Sequence, residues 1–363
     1  MYNFTSMIRS VLLYPFGLFY GLIMAIRNLL YDFRIIKSHE FDFPVISVGN
    51  LTMGGTGKTP HVEYLIRKLS KSHHIAIISR GYGRKTRGFI LADNNSSCGE
   101  IGDEPLQYVR KFKNITVAVD ENRVKGIRKL KSLKPEIDII ICDDAFQHRR
   151  LKAGLSILLT DFHLPFNKNY VFPAGNLREF RSGYKRSDII IVTKTERVMP
   201  ILLRKIVIQE ISPLPHQQLF FSHVTYGQLI PITEEANNFR IVSNLNVVLF
   251  TGISNPYPLE RHLTEGGNKI EHIQFRDHHS YSVSDMHRIV NLYKTMLGGN
   301  KVIITTEKDA MRLLKTKLIE ILNDLPVYYL PIEIKLHRPY EEHLGQALNN
   351  LIEQHKKQLN LFD

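Results

Sequence analysis

One stretch limits the possible folds more than any other: Thr52-Met53-Gly54-Gly55-Thr56-Gly57-Lys58-Thr59. The apolar run from Pro44 to Val48 leads into it, and a helix-compatible segment from Pro60 to Leu69 follows. Strand, glycine-rich turn, Lys-Thr and helix is the layout of a phosphate-binding P-loop. The glycines let backbone N–H groups curl around an anion, and the helix N-terminus adds unpaired donors and the positive end of its dipole. In such a loop Lys58 reaches the β- and γ-phosphates while the Thr59 hydroxyl holds Mg²⁺. The strict pattern has Gly where this chain has Thr52, but the flanking strand and helix carry the assignment. Residues 52–59 are therefore expected to bind a nucleoside triphosphate.

A second motif answers the first. Ile137 to Cys142, apolar except for Asp138, ends in Asp143-Asp144, and Asp143 follows Lys58 by 85 residues. Two carboxylates at the end of a parallel strand hold Mg²⁺ beside the P-loop hydroxyl, so Thr59, Asp143 and Asp144 are metal candidates. Cys142 reads as a buried strand residue. Further apolar runs at 75–79, 115–119, 155–160 and 188–193 alternate with helical patterns, as in a mostly parallel sheet. The run at 75–79 opens into a loop holding Arg80, Tyr82, Arg84, Lys85 and Arg87, which reads either as a solvated turn or as an anion-contacting loop. Gly102-Asp103-Glu104-Pro105 reads either as the cap of a helix or as a pair of working carboxylates. The long irregular stretch around 172–181 is expected to be functional or mobile.

The β/α pattern restarts near 246 without a second glycine-rich loop, which predicts a smaller domain that closes over the first. The expected organisation is an N-terminal helical segment at 1–40, a P-loop domain at 41–212 and a linker at 213–244. The smaller α/β domain follows at 245–340, then a C-terminal amphipathic helix at 341–363. The fold class is α/β, P-loop NTPase-type, with a mostly parallel sheet and helices on both faces.

Charge enters at the N-terminus. Seventeen residues between Arg9 and Arg27 carry no charge. As a helix they run roughly 25 Å, the short limit for crossing a bilayer. Pro15, Gly17 and Gly21 weaken a simple spanning reading, so the segment is expected to lie against a membrane, with Arg27, Arg34 and Lys37 meeting anionic headgroups. Gly17 and Gly21 also form a G-x-x-x-G, a weak sign of helix pairing. Over 363 residues, 48 Lys and Arg outnumber 35 Asp and Glu, a net +13 that favours an anionic partner. The two cysteines, Cys98 and Cys142, sit in no C-x-x-C pair, which argues against a disulfide framework or zinc site and fits a reducing compartment.

Several stretches together resemble one family, the tetraacyldisaccharide 4′-kinases that act in lipid A biosynthesis. They are Ser47 to Leu51 running into Gly54 to Pro60, Ser79 to Gly83, Gly102 to Pro105, Asp143 to His148, Pro173 to Glu179, Phe275 to His278 and Thr305 to Asp309. The resemblance implies ATP- and Mg²⁺-dependent phosphorylation of the 4′-hydroxyl of a tetraacylated glucosamine disaccharide 1-phosphate. It implies Asp103 as the base with His278 paired to it, and Glu104 beside Thr59, Asp143 and Asp144 around the metal. Lys58 and Arg123 would offset charge on the transferring phosphoryl group. Arg80, Tyr82, Gln147, Arg178 and Glu179 would hold headgroup or nucleotide. The implied partners are an anionic glycolipid and the cytoplasmic face of the inner membrane, with neither nucleic acid nor an obligate protein partner. The enzyme would sit there peripherally or by a single helix. The alternative is a partitioning-type P-loop ATPase. Its loop reads K-G-G-x-G-K-T, and Met53 stands here in place of the first lysine.

Overall fold

The computed structural model describes residues 4–241, 243–277, 279–314 and 316–359, with no side-chain account of 4–10 or 356–359. The strands are β1 (Val45–Asn50), β2 (Ile75–Ser79), β3 (Ile90–Leu91), β4 (Ile115–Val119), β5 (Ile139–Asp143), β6 (Leu155–Asp161) and β7 (Ile189–Thr193). They continue with β8 (Gln218–Tyr226), β9 (Ile230–Pro231), β10 (Asn246–Thr251), β11 (Lys269–Gln274), β12 (Lys301–Thr306), β13 (Val327–Leu330) and β14 (Ile332–Leu336).

Nine of them form one sheet in the order β14-β8-β7-β6-β1-β5-β2-β4-β3. It is parallel except at its edges, where β3 runs against β4 and β14 against β8. β1, β2, β5 and β7 are buried along their whole length, which is why they read as mostly apolar runs without polar alternation. Helix Lys58–Leu69 covers β1 from one face with Val62, Leu65, Ile66 and Leu69. Helix Arg123–Leu133 lays Ile127 and Leu130 on the side where Ala76, Ile78, Ile140 and Cys142 point. β10, β11, β12, β13 and β9 form a separate five-stranded sheet in the order β11-β10-β12-β13-β9.

Two departures from the sequence expectation concern the boundaries. Residues 213–244, expected as a linker, contain β8, which belongs to the large sheet. Phe220 and Phe221 there are buried in two core clusters, a demand that polar and proline residues nearby disguise. The chain also returns: β14 crosses back to pair Ile332–Leu336 with Ser222–Tyr226. The terminal helix Tyr340–Leu359 then seats Leu344, Leu348, Leu351 and Ile352 in the core of the large sheet. The two sheets are thus joined by two adjacent crossings, and the Gly227 N–H donates to the Pro331 carbonyl at 2.9 Å between them.

The N-terminal helix runs Phe4–Asp32. Gly17 and Gly21 do not await a second helix. A Cβ on Gly17 would meet the Val171 carbonyl at 2.9 Å, and one on Gly21 the Phe180 ring at 2.5 Å. The G-x-x-x-G brings this helix against the chain's own 171–180 segment. Its opposite side leaves Val11, Leu12, Phe16, Phe19, Leu22 and Ile23 half or more exposed.

Candidate active site

The loop after β1 is organised by a residue to which the sequence reading gave no role. Asn50, fully buried at the end of β1, donates from Nδ2 to Thr52 Oγ1 (3.1 Å) and Thr56 Oγ1 (2.9 Å). Its Oδ1 accepts from Lys58 Nζ at 3.4 Å. Gly54, Gly55 and Gly57 have φ of 80, 67 and 83°, the left-handed region that turns consecutive N–H groups toward one side. Thr52 explains itself here. It forms an antiparallel bridge with Leu177, an extended conformation that needs no glycine, and its hydroxyl serves Asn50. Met53 N–H donates to the Asn176 carbonyl at 2.7 Å, so the long 172–181 stretch is the outer wall of the loop.

β5 is the neighbour of β1 and delivers Asp143 and Asp144 beside Lys58. Asp144 has φ 49°, unusual for a residue with a Cβ. Its carboxylate takes a two-pronged contact from Arg178, at 2.9 and 3.2 Å, and lies 3.6 Å from Lys58 Nζ. Burial opposes its charge, but Lys58, Arg178 and Arg123 outweigh burial and hold it below the usual carboxylate range. Asp143 is the opposite case. Burial, and then the charges of Glu104 and Asp144, push it up to about 7. Tyr108 Oη donates to Asp143 Oδ2 at 3.1 Å, while Oδ1 is buried with no hydrogen-bond partner. A carboxylate that is destabilised in this way, with one idle oxygen, fits a divalent cation. Among the described residues no three His, Cys, Asp or Glu side chains converge into a cage. Mg²⁺ needs none, since it keeps waters and binds through one or two carboxylates plus phosphate oxygens.

Asp103 and Glu104 start the helix Asp103–Lys111. They face helix Glu307–Leu313 of the smaller domain. Arg312 Nη2 donates to Asp103 Oδ2 at 2.8 Å, and Lys308 Nζ to Glu104 Oε1 at 3.0 Å. Arg312 is itself fixed by Asp309 Oδ1 (2.9 Å) and the Gly252 carbonyl (3.1 Å). Lys111 adds a third link, to Glu307 at 2.9 Å and Glu63 at 2.7 Å. Tyr108 on the same helix also bonds Thr59, so one helix ties the P-loop, Asp143 and the smaller domain together.

The remaining expectations divide. Asp144 and Glu104, expected around the metal, are engaged here by Arg178 with Lys58 and by Lys308. Arg123 is buried and donates to the carbonyls of Asp120, Glu121 and Asp144, so it braces the ends of β4 and β5 and does not face open space. Glu179, expected to touch substrate, is buried under Asn28 (2.6 Å), Arg186 (2.8 Å) and Gln147 (3.4 Å). Gln147 also donates to the Asn50 carbonyl at 2.7 Å and accepts from Arg178 at 3.1 Å. These two brace the P-loop against the N-terminal helix, because a buried carboxylate must be fully paired. Arg80 and Tyr82 are exposed beyond β2. His278 lies outside the described residues. Asn50, Tyr108, Lys308 and Arg312 were not singled out from sequence. The only signal for them was that Asn50, Lys308 and the helix of Arg312 sit in or beside the family-like stretches.

A P-loop between β1 and its helix, carboxylates on the adjacent strand and a second domain reaching the same edge define a nucleoside-triphosphate-using α/β protein of the phosphotransferase type. The model of the tetraacyldisaccharide-1-P 4′-kinase family matches residues 9–353, and the chain belongs to that family. It is 41% identical over 347 residues to a tetraacyldisaccharide 4′-kinase of Bacteroides thetaiotaomicron, covering 93% of this chain and 91% of that one. It is 43% identical over 328 residues to that of Flavobacterium johnsoniae, covering 90% and 93%. The LpxK structure from Aquifex aeolicus, solved in complex with ATP, superimposes with a TM-score of 0.72 at 30% identity, covering 95% of this chain and all of that one.

Proposed function

We propose that this protein transfers the γ-phosphate of ATP to the 4′-hydroxyl of a tetraacylated disaccharide 1-phosphate. The observation that carries the reading is the junction of Lys58, Asp143 and Asp144 with helix Asp103–Lys111, within a chain of this family. The loop N–H groups and Lys58 would bind the phosphates. Thr59 and Asp143 would hold Mg²⁺, which neutralises phosphate charge when bound. Asp103 would accept the proton of the attacking hydroxyl, and Arg312 would aim it. The smaller domain, joined by two adjacent crossings, would close over the acceptor and exclude water. With purified protein, ATP labelled at the γ position and the lipid acceptor, label should appear in the lipid. Release only as free phosphate would refute the reading.

The acceptor's acyl chains support a working position at a bilayer, and the need for ATP supports its cytoplasmic face. Gly17, Gly21 and Asn28 bind the N-terminal helix to the body of the protein along its length, which supports a helix lying in the interface over one that crosses it. Phe16→Asp with Phe19→Asp should release the protein from vesicles, and unchanged sedimentation would count against this placement.

A further inference from the structure

Tyr108 stands between the two groups that would hold the metal and touches both. It lies on helix Asp103–Lys111 and is fully buried, in the core cluster that also contains Val48 and Val62. Phenylalanine would fill the same apolar space, whereas a buried hydroxyl must find partners. The partners of Tyr108 Oη are Asp143, whose Oδ2 lies at 3.1 Å, and Thr59. Thr59 is the second residue of the helix that follows the P-loop, and Asp143 ends β5 beside Val48 of β1. The phenol therefore bridges the two neighbouring strand ends at which a metal would sit, and it does so from the helix that also carries Asp103.

The direction of both bonds follows from the number of protons. An ionised carboxylate only accepts, so the single phenol proton goes to Asp143. The phenol oxygen is then an acceptor, and the Thr59 hydroxyl donates to it. Burial, and then the charges of Asp143, Glu104 and Glu63, keep the proton on the phenol well past its ordinary value, with Thr59 opposing. This relay turns the Thr59 proton away and leaves that oxygen's lone pairs for a cation. It also occupies Asp143 Oδ2, so only Oδ1 remains, buried and without a hydrogen-bond partner among the described residues. A small octahedral ion such as Mg²⁺ takes one oxygen from a carboxylate, whereas the larger Ca²⁺ readily takes both. We infer that Tyr108 is a positioning residue that confines Asp143 to a one-oxygen contact and so selects Mg²⁺ over Ca²⁺. This deepens the kinase reading and rests on it for the presence of the metal.

The probe is Mn²⁺, followed by its electron paramagnetic resonance signal, with a non-hydrolysable ATP analogue and protein in excess over nucleotide. Displacement of Mn²⁺ by Mg²⁺ and by Ca²⁺ then measures selectivity without turnover. The unmodified chain should favour Mg²⁺ over Ca²⁺ more strongly than the free analogue does. Tyr108→Phe removes one oxygen and keeps the ring, so circular dichroism should show a folded protein. The variant should lower the Mg²⁺ to Ca²⁺ preference about ten-fold, the scale on which a group that orients a metal ligand acts. ATP affinity in EDTA should hold. A preference unchanged in the variant overturns the inference. So does an unmodified chain no more selective than the free analogue, a result that needs no variant to fold. An equal loss of ATP affinity in EDTA also overturns it, since Tyr108 would then brace the P-loop and not the metal ligands. If the preference shifts as expected but no lipid is phosphorylated, the kinase reading fails and the role of Tyr108 stands. Lipid phosphorylation with an unmoved preference keeps the reaction and removes the role.

Discussion

Two pairs of adjacent carboxylates meet in this molecule, Asp143-Asp144 and Asp103-Glu104, and they are held in different ways. The first pair ends β5 in the middle of the large sheet, and its side-chain partners among the described residues, Lys58, Arg178 and Tyr108, belong to that same body. The second pair opens a helix at the edge of that body, and its cations, Arg312 and Lys308, come from the smaller domain. On the proposed reading, the nucleotide end of the site is therefore assembled within one body. The acceptor end would take its geometry from the relative placement of the two sheets, which the chain joins at β8–β9 and β13–β14 and these ion pairs also link. A kinase with these parts would bind ATP with one domain and complete its chemistry with the other.

The sharpest way to break this comparison is Asp103→Ala. If Asp103 is the base, turnover on the lipid should fall about 10²–10⁴-fold. ATP affinity, set by the other pair, should stay near normal by nucleotide titration. A near-normal rate would remove the base assignment. An equal loss of ATP affinity would erase the division between the two pairs.

The nucleotide end should also show its own sensitivity to acid. His61, fully buried on the P-loop helix, donates from Nδ1 to the Gly57 carbonyl at 2.7 Å and accepts at Nε2 from Ser222 of β8 at 3.0 Å. Burial lowers its ring to about 4 from the ordinary 6.5, with the Gly57 contact opposing. An unfolded chain takes up the proton first as pH falls, so stability is complete above about 6.5 and is lost toward 4. The loss is on the order of 2–3 kcal/mol. Thermal melts across that range should show it, and His61→Gln should flatten the slope. An equally steep slope in the variant would place the sensitivity elsewhere.

The difference between the pairs also marks where sequence reading succeeds. The P-loop, β5 and its two carboxylates were legible because each is local: a buried parallel strand is a continuous apolar run, and the residues that follow it are adjacent in sequence. The partners of Asp103 and Glu104 are 209 and 204 positions away, and nothing in the periodicity of 307–313 says which helix it will face. β8 escaped for a related reason. Its place in the large sheet is fixed by β7 and by β14, which returns from beyond the smaller domain. Glu179 was misjudged because a carboxylate in an irregular stretch reads as exposed, and only the N-terminal helix packed above it closes it off.

Arg312 gives the next, smaller effect. It touches no reacting atom and acts through Asp103, so Arg312→Met should lower kcat about ten-fold while KM for ATP holds. Arg312→Lys should recover part of the loss, since a shorter point charge reaches the same carboxylate without the second contact to Asp309. Parallel losses in kcat and in ATP affinity would mean that the smaller domain shapes the nucleotide end as well.

Lys308 should produce the smallest change and the most specific one. Its ammonium neutralises Glu104, whose charge is felt at Asp143. Removing it in Lys308→Ala leaves more negative charge beside the position where Thr59 and Asp143 would hold Mg²⁺. A partly exposed pair of this kind contributes up to about 1 kcal/mol, so the Mg²⁺ concentration for half-maximal activity should fall about two- to five-fold. Because the cation comes from the smaller domain, that shift would show the two carboxylate pairs coupled through Glu104. A Mg²⁺ titration at saturating ATP that does not move would mean that they operate independently.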